Sequence, residues 1–388
     1  MSVYSPSLPT SRKVDIPTLS RMLENKRITN SYKYLFFLAI LTKLEQKPYD
    51  RSAPISFTLQ DLTTEMVLLA WYPIKYFQLS FGPLDQVATI IDKLIFDTSN
   101  KDVTSLVGRE QLRNTIKAQS KKIGLGKLER YVPYLLQSVF FPNELKGERS
   151  DTKRNQIIQD CANAYSSPAV PLYSYTQINN LPSIDINTNW LEYFLTDGNI
   201  TIVKEWAVGK WTGYLQKRNP NTPAIINKIF PPLKRSSLSK QTTFWQQVID
   251  ADQGQGLRCI YSNEPLIDQP FSLDHFLPWT FICHDQIWNL CPVTPSSNSS
   301  KGNKLPAEDY VEKFIQQQIH ALEISSKVMS AKRWDKVTES YALDLHLDPK
   351  LLLDESAVRD AYTGVLMPMM TLAETSGFEG SWVYSSNL

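Results

Sequence analysis

Residues 274–306, DHFLPWTFICHDQIWNLCPVTPSSNSSKGNKLP, hold two of the four histidines of the chain and gather Asp274, His275, Asn289 and Asn298 into one short polar run. A buried core has no use for such a run. The apolar and turn-forming residues around it give a local order of strand, His-bearing turn, loop, second short strand, polar loop with Asn298, and helix. Upstream, LRCIYSNEPLIDQPFSL, with Asn263-Glu264-Pro265 between short apolar alternations, reads as a hairpin.

Asp274 and His275 together supply what hydrolysis of a phosphodiester needs: an anion to hold a cation against the phosphate, and a base to take a proton from the attacking water. Neighbouring residues on a strand point to opposite sides, so Asp274 can face a metal while His275 addresses the water. Asn298, near the start of a helix that packs across the strands, would add an amide oxygen. One carboxylate and one amide leave Mg²⁺ several waters and room for phosphate oxygens.

The stretch resembles the HNH family of nucleases, the ββα-metal fold. The likeness rests on Asp-His, a proline three residues after the histidine, Asn289 fourteen residues after it, Asn298 nine further on, and Ser-Lys-Gly-Asn behind. Members of that family from RNA-guided CRISPR nucleases and from junction-cleaving phage endonucleases are similar in this order. The resemblance covers about residues 255–320. It implies His275 as general base, Asp274 and Asn298 as ligands of Mg²⁺ or Mn²⁺, Asn289 fixing the loop that carries the histidine, and Lys301 at the phosphate. It also implies cleavage to 3′-hydroxyl and 5′-phosphate ends. Many family members carry two CxxC pairs around a structural zinc. Here Cys259 is followed by Ile260, Tyr261 and Ser262, so the first pair is incomplete and no structural zinc is expected.

At 388 residues the chain exceeds one ordinary core, so two or three domains are expected. Helical spacing dominates from Thr18 to Phe141, an irregular stretch with β-formers lies near 170–185, and LEYFLTDG and KEWAVGKWTGYLQKR return to helix. PNTPAIINKIFPPLKRSSLSKQ then strings together prolines and a Ser/Lys cluster, which places the main boundary near 235. The expected architecture is mainly α with a small α+β module: a helical sensing or docking region over 1–235, a ββα-metal nuclease domain over 236–320, and helices over 321–388 that pack on it.

Net charge is only +2, so the whole molecule is no electrostatic magnet for a polyanion. The module itself is short of cations. Lys204, Lys210, Lys217, Arg218, Lys234 and Arg235, interleaved with Trp211, and Lys304 are therefore the candidates for phosphate contact and base stacking. The four cysteines form no framework, the N-terminus has no apolar leader, and no window of eighteen residues is uninterruptedly apolar; the chain reads as cytoplasmic with no membrane role. The substrate expected is DNA, with RNA not excluded, and an activating or targeting protein partner would restrain such an enzyme, as in restriction and anti-phage nucleases. The competing readings are a ββα module that binds nucleic acid without cutting, and a toxin nuclease directed at RNA.

Overall fold

The structure is a computed structural model that describes residues 6–24, 30–46, 54–97, 103–164, 169–196, 198–231, 236–253 and 256–385. The chain divides into two compact units, Met1–Pro220 with Lys228–Leu233, and Asn221–Asn227 with Lys234–Leu388. Both are mainly helical with a small sheet. No helix among the described residues is long and apolar enough to cross a membrane.

The first unit runs through α1 (Ile16–Glu24), α2 (Tyr32–Glu45), β1 (Ser56–Thr58), α3 (Leu59–Trp71), α4 (Gln86–Asp92), α5 (Leu106–Ala118), α6 (Ser120–Ile123), α7 (Gly126–Gln137), α8 (Asp151–Ala164), β2 (Tyr173–Ile178), β3 (Leu181–Ile186), α9 (Thr188–Leu195) and α10 (Asn199–Arg218). The centre of α2, KYLFFLAIL, is apolar on all sides and is accordingly buried. α3 carries Glu65 into this core with no exposure. The charge is tolerable there because Arg113 of α5 donates to it at 3.1 Å and Lys43 lies 3.7 Å away. The β-forming stretch near 170–185 becomes the hairpin β2–β3, with β1 antiparallel on the other edge of β3.

The second unit begins with α11 (Ser239–Asp252) and continues through β4 (Ser272–His275), α12 (Trp279–Ile282), β5 (Leu290–Val293), α13 (Pro295–Lys301), α14 (Asp309–Val328), α15 (Ala331–Asp344) and α16 (Glu355–Thr375). The hairpin expected around Asn263-Glu264-Pro265 does not form as two strands. Only the bridge Arg258–Pro265 exists, because Pro265 has no N–H to extend a ladder and Asn263 sits in the left-handed region at φ +61°. β4 pairs instead with β5, antiparallel, with Asp274 opposite Cys291 and His275 opposite Leu290.

One core joins this hairpin to the helices on either side. It runs from Phe244 and Trp245 of α11 through Phe276, Trp288 and Val293 to Phe314 of α14, Tyr341 of α15 and Tyr362 of α16, each nearly or fully buried. Polar contacts fix the packing. Gln318 of α14 donates to the Leu290 carbonyl at 2.8 Å and accepts from the Tyr341 hydroxyl at 2.7 Å, while Tyr362 donates to the Trp288 carbonyl at 2.9 Å. After α16 the chain returns to the segment behind α13, where Trp382 bridges Pro306 and its N–H reaches the Leu305 carbonyl at 3.0 Å.

Candidate active site

β4 delivers Asp274 and His275 side by side. Beyond it, Asn289 closes the following turn: its Oδ1 accepts from the Leu277 N–H at 2.9 Å, and its Nδ2 donates to the Leu277 carbonyl at 3.0 Å. Its backbone carbonyl also accepts from the Phe276 N–H at 2.9 Å. A wholly buried amide that satisfies both backbone groups of one residue pins the chain just after the histidine.

His275 is 8% exposed and its Nε2 lies 2.9 Å from Oδ1 of Asp285, a residue in the loop between the two strands. With the Nε2 proton donated to that carboxylate, the lone pair of the imidazole resides on Nδ1, the state a base requires. His284 is beside this pair, with its ring 5.6 Å from that of Trp288. Burial pulls its pKa below the ordinary histidine value, against the opposing pull of Asp344.

Asp274 is 3% exposed and well supplied with donors. The Tyr261 hydroxyl donates to Oδ2 at 2.7 Å, and the Lys301 ammonium lies 3.0 Å from Oδ2 and 3.1 Å from Oδ1. Lys301, 1% exposed, also donates to the His275 carbonyl at 2.8 Å. Burial and the neighbouring Asp274 charge push the Tyr261 phenol well above its usual range, which keeps it a donor.

α13 is fastened to this cluster through sulfur and hydroxyl groups. Thr294, its N-cap, sends its N–H to the Cys259 sulfur at 3.4 Å, and Ser297 donates to the Thr294 carbonyl at 3.0 Å. Burial alone would raise the Cys259 thiol, but hydrogen bonds from Ser262, Ser297 and the Thr294 N–H outweigh it and lower the pKa. None of the four cysteines is joined in a disulfide. α13 ends at Gly302, whose positive φ of +53° a side chain would resist, and whose N–H reaches the Asn298 carbonyl at 3.0 Å.

Asn298 is half-buried on α13, and among the described residues its side-chain amide makes no hydrogen bond. Asp274 and Asn298 thus offer a carboxylate and an amide oxygen, hard donors of the kind a divalent cation takes. A positive charge is already seated against Asp274, namely the Lys301 ammonium. The residues therefore fit a cation in charge and donor type, on the condition that Lys301 gives up the carboxylate to it. Among the described residues no group of three or more His, Cys, Asp or Glu could hold a metal ion.

The basic residues proposed for nucleic acid fare differently. Lys204, Lys210, Trp211, Lys217 and Arg218 all lie on α10 of the first unit. Lys204 pairs with Glu45, and Lys210 stands 5.8 Å over the Trp206 ring. Trp211 has no exposed surface and packs edge-on against Phe81, so no base can stack on it there. Lys217 and Arg218 are exposed, and Arg218 covers Tyr214. Lys304 is tied to Glu379 at 2.8 Å. Lys234 and Arg235 lie outside the described residues.

Sequence reasoning missed Asp285 and Tyr261. Asp285 had a faint signal, an acid beside a histidine in the inter-strand loop. Tyr261 had none, since thirteen residues and a turn separate it from Asp274.

Comparison with known families points to the same segment. Residues 259–307 match the family described as HNH endonuclease, a span from Cys259 through β4, β5 and α13. No curated protein and no solved structure matches the chain. Residues 259–307 are an HNH endonuclease domain.

Proposed function

We propose that the chain hydrolyses phosphodiester bonds within nucleic acid, DNA foremost, through the cluster on β4, the inter-strand loop and α13. The observation that carries this reading is the His275–Asp285 pair, held by Asn289 and placed one residue from the Asp274–Lys301 pair inside the segment that matches the endonuclease family. A module that only binds has no need of an imidazole oriented by a carboxylate.

In this reading His275 takes the proton of the attacking water, and Asp285 fixes the tautomer and balances the imidazolium that results. Asn289 keeps the backbone after the histidine from drifting. Asp274 and Asn298 are the residues that would hold Mg²⁺ or Mn²⁺, and the bound cation supplies neutralisation of charge on the phosphate and the leaving oxygen. Lys301, displaced from Asp274, becomes a cation available to a phosphate oxygen. Residues 1–235 contribute none of these groups, which leaves them for docking or sensing.

The test is incubation of the purified chain with plasmid, single-stranded DNA and RNA in Mg²⁺, Mn²⁺ or EDTA, beside His275→Ala. Cleavage should require the metal and fall by about 10²- to 10⁴-fold in the variant. A variant that cuts as fast as the parent would remove His275 from the mechanism.

A further inference from the structure

Lys127, Tyr131 and Leu135 recur at every fourth residue of α7 and so share one face of it, with Arg130 alongside. All four are exposed, the tyrosine by 43%. This face and the first turn of α8 line a cavity of about 620 Å³ within the first unit. Asn155 of α8 ties the two helices together by donating to the Arg130 carbonyl at 3.1 Å. Arg154 lines the same cavity with its Nη1 held by the Glu148 carbonyl at 3.0 Å, which fixes the guanidinium and leaves its Nε and Nη2 without a hydrogen bond to any described residue. Lys127, Arg130 and Arg154 form no ion pair with a described residue, and the described lining carries one carboxylate, Asp151. Asp151 stands in the first turn of α8, whose positive end offsets part of its charge. Glu129, the acid of α7, is half-buried and lies 3.5 Å from the Thr63 hydroxyl of α3 instead. Residues 121–154 hold eight Lys and Arg against four Asp and Glu; with the whole chain at only +2, the remainder is net negative and the positive excess is local.

We propose that this face of α7 and α8 grips the phosphate backbone of the nucleic acid that the chain cuts, with Tyr131 as a platform for an unpaired base. The inference rests on the phosphodiesterase reading above and adds a contact that the matched segment lacks. Residues 259–307 contain only two Lys or Arg: Lys301 is buried against Asp274, and Lys304 is tied to Glu379. Four carboxylates outnumber them there, so the segment by itself would hold a polyanion poorly. On α10, Lys204 is paired and Trp211 is buried, whereas on α7 the cations are unpaired and the ring is open. An acidic protein segment would answer the cations and leave the ring unused. A polynucleotide brings phosphates and flat base faces together.

The test uses the full chain carrying His275→Ala, so that nothing is cut, and follows the anisotropy of a fluorescent oligo-dT of about 20 nucleotides. Lys127→Glu and Arg130→Glu should each weaken binding about five- to tenfold and lower the slope of log affinity against log salt by about 0.7 or more. Tyr131→Ala should weaken it about fivefold and leave the slope unchanged, since stacking releases no counterions. All three side chains are exposed, so the Tm should hold. Lys350→Glu makes the same change of net charge in the second unit and should leave affinity within about twofold. Affinity untouched by the two reversals on α7, or lowered as much by Lys350→Glu, overturns the proposal. Poly-glutamate that displaces the probe as well as unlabelled oligo-dT does, charge for charge, would make the face a dock for an acidic chain and overturn it too. His275-dependent cleavage by the parent, with binding indifferent to the α7 variants, rejects the surface and keeps the nuclease reading. Binding that depends on α7 in a chain whose parent cuts nothing does the reverse.

Discussion

Lys301 bonds both the Asp274 carboxylate and the carbonyl of His275, so one buried ammonium steadies the candidate ligand and the backbone of the candidate base. Removing it leaves Asp274 charged and buried with only the Tyr261 hydroxyl, a change that should cost about 3–5 kcal/mol. Lys301→Met should therefore lower the Tm, and Mg²⁺ should restore more of it than it adds to the parent, because the cation then fills the vacated place. Equal Mg²⁺ shifts in the two proteins would mean that Asp274 is no cation ligand. Asp285→Asn makes the complementary case at the base. His275 stays in place but loses the carboxylate that orders its tautomer, so kcat should fall about ten- to a hundredfold with the Tm nearly unchanged. Turnover at the parent rate would reduce Asp285 to a loop anchor. Asp274, His275, Asn289 and Asn298 were legible because their spacing along the chain is itself the signal. Tyr261 and Asp285 were not, because folding alone brings a phenol across a turn and a loop carboxylate onto the ring.

Helices with an apolar stripe or an apolar centre, such as α2 and α14, could be placed from the sequence. α15 could not, since AKRWDKVTESYALD buries only Thr338 and Tyr341 and so leaves little periodic signal. β1 is three residues long and pairs with a strand more than a hundred residues later, beyond the reach of any local pattern. The junction of α11 with α14 was equally hidden. Asp252, at the end of α11, accepts the Gly256 and Leu257 N–H groups at 3.0 Å and meets Nε2 of His320 at 2.6 Å. Burial works to raise its pKa, but these bonds prevail and set it below its ordinary 3.8. A depressed carboxylate stabilises the fold above that ordinary value, and the contribution disappears as pH falls through the lower folded value. Asp252→Asn should therefore lose about 1–3 kcal/mol at neutral pH, with the difference from the parent shrinking below pH 4. Urea unfolding between pH 3 and 7 measures this, and a difference that is constant across the range would exclude the carboxylate's charge as its source.

At the scale of the molecule, every group assigned to bond cleavage belongs to the second unit. That unit also owns a continuous core from Phe244 to Trp382, in which α14, α15 and α16 cover the hairpin that carries the site. The sequence exposed the HNH module by its motif, yet the helices over 321–388 bore no motif, and only packing shows that Tyr341 and Tyr362 brace the strands through Gln318 and Trp288. A fragment spanning 236–388 should therefore unfold cooperatively by itself and retain metal-dependent cleavage. A fragment ending at residue 320 should not, because it leaves the apolar faces of Phe314 and Ile319 without their partners. If the first unit docks or restrains, the 236–388 fragment should at saturating substrate cut naked nucleic acid at least as fast as the full chain, while losing whatever targeting the full chain has. Side-by-side turnover of fragment and full chain decides this. A folded fragment without activity would require residues 1–235 in the chemistry itself, against the placement of every candidate group found.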